Sequence, residues 1–103
     1  VAPANEQSAV SLSITIRHPL RIEKIDWSFT DAKVWSVNGT PADCVKLALN
    51  VILPHRPALI VSGINRGNNA GRNVLYSGTV AAIIEGVMHN IPGIAFSIAD
   101  YFN

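Results

Sequence analysis

An open α/β sheet with mainly parallel strands is the architecture this sequence predicts, and three observations predict it. From Lys33 onward, β-rich runs and helical periodicities alternate as strand, helix, strand, helix, strand, the order that right-handed crossovers between parallel strands require. Ala58-Leu59-Ile60-Val61 is a continuous apolar run with β-branched residues, suited to a strand buried on both faces. The polar, glycine-rich segments follow such runs or precede helices, which puts them at the carboxyl edge of the sheet, where ligands of this architecture collect.

Taken in order, Val1-Ala2-Pro3 reads as the last part of a buried strand, so a segment upstream is expected. Val10, Leu12, Ile14 and Ile16 alternate with Ser11, Ser13 and Thr15, the period of a strand with one buried face. Leu20, Ile22 and Ile25 continue that alternation weakly after Pro19. Lys33 to Val37, around Trp35, is another short β-rich run, and both are expected as antiparallel excursions. At Thr40 a helix begins: Thr40 caps, Pro41 suits the first helical position, and Asp43 stands where a capping box needs an acceptor. Cys44, Leu47, Ala48, Val51 and Ile52 then share a helical face, and Pro54 stops the helix.

After the strand at Ala58–Val61, residues 66–73 are Gly, Asn and Arg with almost nothing to bury, and form a surface loop. Val80, Ile83, Ile84, Val87 and Met88 match the i, i+3, i+4, i+7, i+8 template of a second helix over Gly78–His89, with Ser77 as its cap. Pro92-Gly93 marks the exit, and Ile94 to Ile98 reads as another buried strand.

The composition narrows the function. A chain of 103 residues with 49% hydrophobic content suits one small domain. The net charge of +1 comes from 8 basic and 7 acidic residues without a basic stripe, so neither polymeric nucleic acid nor an anionic membrane is an expected partner. No apolar run reaches the roughly 18 to 20 residues of a membrane helix, and the first residues lack a basic segment followed by an apolar core, so no export signal is expected. The single cysteine, Cys44, lies on a core face, which fits a reducing cytosol, and Asn38-Gly39-Thr40 is read as a turn.

Two segments carry candidate chemistry. Residues 62–71, Ser-Gly-Ile-Asn-Arg-Gly-Asn-Asn-Ala-Gly, concentrate asparagines and glycines straight after a buried strand. Amide oxygens are hard metal donors and glycines let backbone N–H groups approach an anion; a tight surface turn is the other reading. Tyr76-Ser77-Gly78-Thr79 heads an amphipathic helix, whose exposed N–H groups and macrodipole attract phosphate; Ser77 as a plain cap is the alternative there. Ser8, in a loop between two strands, offers a hydroxyl to a metal or simply closes a turn. His18 and His55 lack partners at ligand spacing and are read as surface residues, Met88 as core packing, and no two-carboxylate acid/base pair can be drawn.

Together the strings Val1-Ala2-Pro3 with Glu6-Gln7-Ser8, Gly39-Thr40-Pro41-Ala42-Asp43-Cys44-Val45, Ser62-Gly63-Ile64-Asn65-Arg66-Gly67, and Tyr76-Ser77-Gly78-Thr79-Val80 with Glu85-Gly86 resemble the SurE family of 5'/3'-nucleotidases. The resemblance implies a Rossmann-like, three-layer core, here truncated at both ends. It implies a cytoplasmic phosphatase that releases phosphate from nucleoside monophosphates with Mg²⁺ or Mn²⁺, as a dimer or tetramer in the full-length protein. It also implies that Ser8 and Asn65 are metal ligands and that Asn69, Ser77, Gly78 and Thr79 surround the phosphate. The family's other two ligands, adjacent aspartates of an Asn-Asp-Asp-Gly motif ending the first strand, are absent from residues 1–103. Residues 1–103 are therefore expected to be inactive alone. A truncated, non-catalytic phosphate-binding or nucleotide-binding domain is the alternative.

Overall fold

The computed structural model describes residues 1–5, 13–66 and 77–98. Among them, five strands and two α-helices follow one another as β1 (Ala2–Pro3), β2 (Ile22–Ile25), β3 (Val34–Val37), α1 (Pro41–Leu47), β4 (Ile60–Arg66), α2 (Gly78–Met88) and β5 (Gly93–Ile98). The predicted mixed α/β class with parallel pairing is what the chain adopts, because β1 runs parallel to β3 and β4 parallel to β5. The hairpin of β2 and β3 is antiparallel, as its weak alternation suggested. Among the described residues the strands form two sheets, β1-β3-β2 and β4-β5, rather than one. The crossover through α1 therefore joins strands that do not pair, since β3 is flanked on both sides by β1 and β2.

Helix α1 starts as predicted. Thr40 Oγ1 accepts from the Asp43 N–H at 3.1 Å, and Asp43 Oδ2 accepts from the Thr40 N–H at 2.8 Å, a complete capping box with Pro41 in the first turn. The helix then widens into a π-helical turn over Ala48–Ile52, closed by the Leu53 N–H on the Ala48 carbonyl. That changes the phase of the last turn and leaves Val51 exposed, against its expected place on the core face. Leu53, preceding Pro54, is extended, as a residue before proline prefers.

The strand expected over Val10–Ile16 is not seen in its described part, Ser13–Ile16. The reason lies in where its backbone bonds go. The Thr40 hydroxyl donates to the Ser13 carbonyl at 2.8 Å, and Asp43 accepts from the Thr15 N–H at 3.0 Å and from the Thr15 hydroxyl at 2.5 Å. A helix terminus, not a neighbouring strand, satisfies this segment, and Ile16 is 90% exposed.

In α2 the apolar template also points to the wrong face. The buried residues are Gly78, Ala81, Ala82, Glu85 and Gly86, the same spacing shifted by two positions, while Val87 and Met88 are exposed. Small residues let the helix axis approach its neighbours. A Cβ on Gly86 would collide with Ile60 Cδ1, and one on Gly93 would lie 2.8 Å from Ile83 Cδ1. Side chains at Val61, Ile94 and Phe96 turn to the other face of β4 and β5, where they are 61, 47 and 49% exposed. Helix α2 packs on the start of these strands, at Ile60 and Gly93, while Ile94–Ile98 are exposed, so the buried strands expected here are not observed. Strand β4 begins at Ile60 and runs through Arg66, so Ser62–Asn65 are strand residues rather than its loop.

The core is Val37, Ala42, Cys44, Val45, Ala81, Ala82 and Ile91. Cys44 packs there as expected, and burial pushes its thiol up to about 11. His18 and His55 are exposed, as the sequence suggested.

Asp43 has no exposed surface. Burial raises its pKa, but hydrogen bonds from Thr15 and Thr40 outweigh that and hold it below its ordinary 3.8. Its stabilising contribution is therefore fully present above pH 3.8 and is lost as the pH falls from there through the folded-state value. Asp43→Asn is expected to cost about 2–3 kcal/mol at neutral pH in urea unfolding, because an amide nitrogen then faces donors. It should also remove part of the loss of stability below about pH 4, and a variant as acid-sensitive as the parent would contradict this assignment. Gly63 has φ 134°, and a Cβ there would lie only 2.6 Å from the Phe96 carbonyl oxygen, so the position tolerates no side chain. Gly63→Ala is expected to lower stability by about 1–3 kcal/mol, and an unchanged thermal midpoint would contradict the observed packing of β4 on β5.

Candidate functional site

Two of the candidate segments come to one edge of the β4-β5 sheet. Gly86, near the end of α2, packs against Ile60 at the start of β4, so the helix runs back along the strand. From Gly86 to Ser77 the helix climbs about 14 Å at about 1.5 Å per residue. From Ile60 to Asn65 the strand climbs about 16 Å at about 3.3 Å per residue. Asn65 and Ser77-Gly78-Thr79 therefore arrive at the same level, the carboxyl edge of the sheet. Asn65 is level with Ser97 of β5, just past a shift of register between Ser62 and Asn65.

Ser77 is an extended N-cap whose Oγ accepts from the Val80 N–H at 3.3 Å, while its carbonyl accepts from Ala81 at 2.9 Å. The cap function expected of Ser77 is present. It does not exhaust the terminus: the hydroxyl proton is not used in that bond, and helix geometry gives the Gly78 and Thr79 N–H groups no intrahelical acceptor. Ser77 and Gly78 are buried and Thr79 half-buried, so the helix dipole acts through little water. The N-terminus of α1 differs, because its capping box and the Ser13 carbonyl close it with groups of the chain itself. Of the two helix ends, α2 is the one suited to an anion.

Ser8 and Asn69 lie outside the described residues, as do Gly67, Asn68 and Arg72 of the polar loop. Among the described residues no three His, Cys, Asp or Glu side chains converge as a metal cluster. Asn65 supplies a donor of the right kind for Mg²⁺ or Mn²⁺, a hard amide oxygen, but no charge. A dication would need carboxylates from elsewhere.

Sequence reasoning gave Asp43 its capping role but missed its tie to Thr15, and it missed the structural role of a second buried acid, Glu85. Asp43 ties Thr15 and Thr40 together, and nothing local marks Thr15 as its partner. Glu85, 4% exposed, lies 3.1 Å from His89 Nε2 and 4.0 Å from Lys46 Nζ, bridging α2 to α1. The i, i+4 spacing of Glu85 and His89 is a signal that reveals half of that cluster. The His89 carbonyl also accepts from the Arg56 guanidinium at the end of α2.

The family described as survival protein SurE matches residues 1–103. A protein named 5'-nucleotidase SurE from Protochlamydia amoebophila is 79% identical over 103 residues, which is 100% of this chain and 40% of that protein. A protein of the same name from Pelotomaculum thermopropionicum is 53% identical over 98% of this chain and 39% of its own length. The crystal structure of SurE protein from Aquifex aeolicus superposes with a TM-score of 0.82 at 45% identity, covering 98% of this chain and 40% of that one. The chain thus spans about 40% of the length of the curated relatives it matches. Matched from residue 1 to residue 103, with its strands and helices in the arrangement of a solved member, the chain belongs to the SurE family.

Proposed function

We propose that residues 1–103 are part of a metal-dependent phosphomonoesterase that hydrolyses nucleoside 5'-monophosphates, and 3'-monophosphates, to nucleoside and phosphate. What supports this reading is the place of Asn65 near the carboxyl end of β4, the capped N-terminus of α2 at Ser77, and an identity of 79% to a protein named 5'-nucleotidase SurE. In this reading Ser8 and Asn65 hold Mg²⁺ or Mn²⁺ together with two carboxylates supplied from outside residues 1–103. Bound there, the ion would supply Lewis-acid polarisation of a phosphoryl oxygen.

The chain's own groups orient and bind. The Gly78 and Thr79 N–H groups, the Ser77 and Thr79 hydroxyls and the helix dipole take the phosphate oxygens, and Asn69 is a further phosphate-binding residue in this reading. Charge developing on those oxygens is met by dipoles already in place, which need no reorganisation as the ester breaks. The enzyme is a cytoplasmic dimer or tetramer in its longer form, and residues 1–103 alone are inactive for want of the carboxylates. A second reading, a non-catalytic phosphate-binding or nucleotide-binding domain, draws on the lack of a converging acidic cluster among the described residues.

Phosphate release from AMP, measured with Mn²⁺ and with chelator, separates the two. A polypeptide extended at its amino end by a strand carrying the Asp-Asp pair is expected to be active and chelator-sensitive, and residues 1–103 inactive. Equal activity in the two would overturn the proposed metal site. In the extended polypeptide, Asn65→Ala should reduce activity by at least about 10–100-fold, the range that even the outer partners of metal ligands carry. Unchanged turnover would remove Asn65 as a ligand.

A further inference from the structure

In β5, a Cβ on Gly93 would lie 2.8 Å from Ile83 Cδ1, so Gly93 stands on the face against which α2 packs. Side chains alternate along a strand, which puts Ala95 and Ser97 on that face and Ile94, Phe96 and Ile98 on the other. In β4 the same face begins at Ile60, which pairs with Gly93 and whose Cδ1 would meet a Cβ on Gly86 of α2. Unbroken alternation would continue it through Ser62 and Ile64 and turn Asn65 away. The register shift between Ser62 and Asn65 reverses this: three steps of β4, from Ser62 to Asn65, span what two steps span in β5, from Ala95 to Ser97. Asn65 is thereby paired with Ser97 and shares its face. Burial agrees, since Asn65 is half-buried and Ile64 is 68% exposed.

Ser97 is exposed although it lies on the face of α2, because the strand outruns the helix. From Gly93 to Ser97 the strand climbs about 13 Å at about 3.3 Å per residue. From Ile83, beside Gly93, the helix climbs only about 9 Å to Ser77 at about 1.5 Å per residue. Ser97 therefore stands on a ledge just past the helix N-terminus, with Asn65 beside it on a strand about 4.8 Å away. The rest of β5 is Gly93, Ile94, Ala95, Phe96 and Ile98, so Ser97 is its single polar side chain and sits toward its carboxyl end, where ligands of such sheets collect. We propose that Ser97 is a further substrate-binding residue, its hydroxyl donating to an oxygen of the phosphate; this rests on the reading of Asn65 and the α2 N-terminus as the ion and phosphate sites. The Gly78 and Thr79 N–H groups meet that phosphate from the helix, and Ser97 meets it from the sheet. A hydroxyl suits the place, because it gives a hydrogen bond to an anionic oxygen without a positive charge that would repel the neighbouring ion.

The test uses the full-length protein that carries these residues. Phosphate release from AMP is measured with Mn²⁺, and the affinities for inorganic phosphate and for Mn²⁺ are measured separately by titration calorimetry. Ser97→Val and Ser97→Thr both fit a strand and differ only by a methyl in place of the hydroxyl. Ser97→Val is expected to raise the KM for AMP and the dissociation constant of inorganic phosphate about tenfold each, as the loss of one hydrogen bond to a charged group does. Its Mn²⁺ affinity and thermal midpoint should match the parent, and Ser97→Thr should restore phosphate binding. Ser97→Ala, which adds no bulk, should show the same loss as Ser97→Val. Parental phosphate affinity in Ser97→Val and Ser97→Ala would overturn the role of Ser97, and so would a loss confined to Mn²⁺ binding or shared by Ser97→Thr. An unsubstituted protein that releases no phosphate from AMP and binds neither Mn²⁺ nor phosphate would instead overturn the reading of the site, and this inference with it.

Discussion

A carboxylate without exposed surface must find donors inside the protein or lose its charge, and Asp43 resolves this in a way that organises half of the molecule. Its oxygens accept from the Thr40 N–H and from the Thr15 N–H and hydroxyl, so one side chain closes a helix and binds a segment 28 residues away in sequence. The charge is kept because these donors outweigh the cost of burial, which is why its pKa is lowered rather than raised. Gly39 follows from the same constraint. A Cβ there would lie 2.5 Å from Asp43 Oδ2 and 2.8 Å from Leu20 Cδ2, so the turn into α1 admits only glycine beside the buried carboxylate.

The second organising contact is that of α2 with α1 and β4. Small side chains at Ala81, Ala82 and Gly86 bring the helix close, and Glu85, reaching Lys46 and His89, places a polar bridge in the same face. The helix is thereby held antiparallel to β4, and that orientation turns its N-terminus toward the carboxyl end of the strand. Close packing low on the helix and an open terminus at its top are two ends of one arrangement.

What was legible in the sequence was local. Thr40, Pro41 and Asp43 mark the start of α1 because a capping box involves only neighbours in the chain, and Ser77 marks α2 for the same reason. The fold class was legible too, because the strand-helix order needs no knowledge of partners. The errors came where a distant partner decides. Ser13 and Thr15 alternate like a strand, yet their polar groups are taken by Thr40 and Asp43. Val87 and Met88 fit an apolar stripe, yet the neighbours of α2 select its smallest residues. For the candidate site, the helix end at Ser77–Thr79 was readable from capping and Asn65 from its place after an apolar run, whereas their common level follows only from how α2 lies on β4.

In the proposed metal reading, the distribution of acids explains why Asn65 would need carboxylates from outside the described residues. Among the described residues the acids are Glu23, Asp26, Asp31, Asp43 and Glu85. Asp43 is engaged by the Thr15 and Thr40 donors and Glu85 by Lys46 and His89. Glu23 lies on the outer strand β2, and Asp26 and Asp31 lie in the turn entering the amino end of β3, whereas ligands of such sheets sit beyond the carboxyl ends. A hard dication beside Asn65 therefore finds polar oxygens in these elements but no carboxylate not already engaged or remote. In the proposed reading, charge for the ion would come from another segment, while these residues would contribute a neutral amide oxygen and a helix dipole.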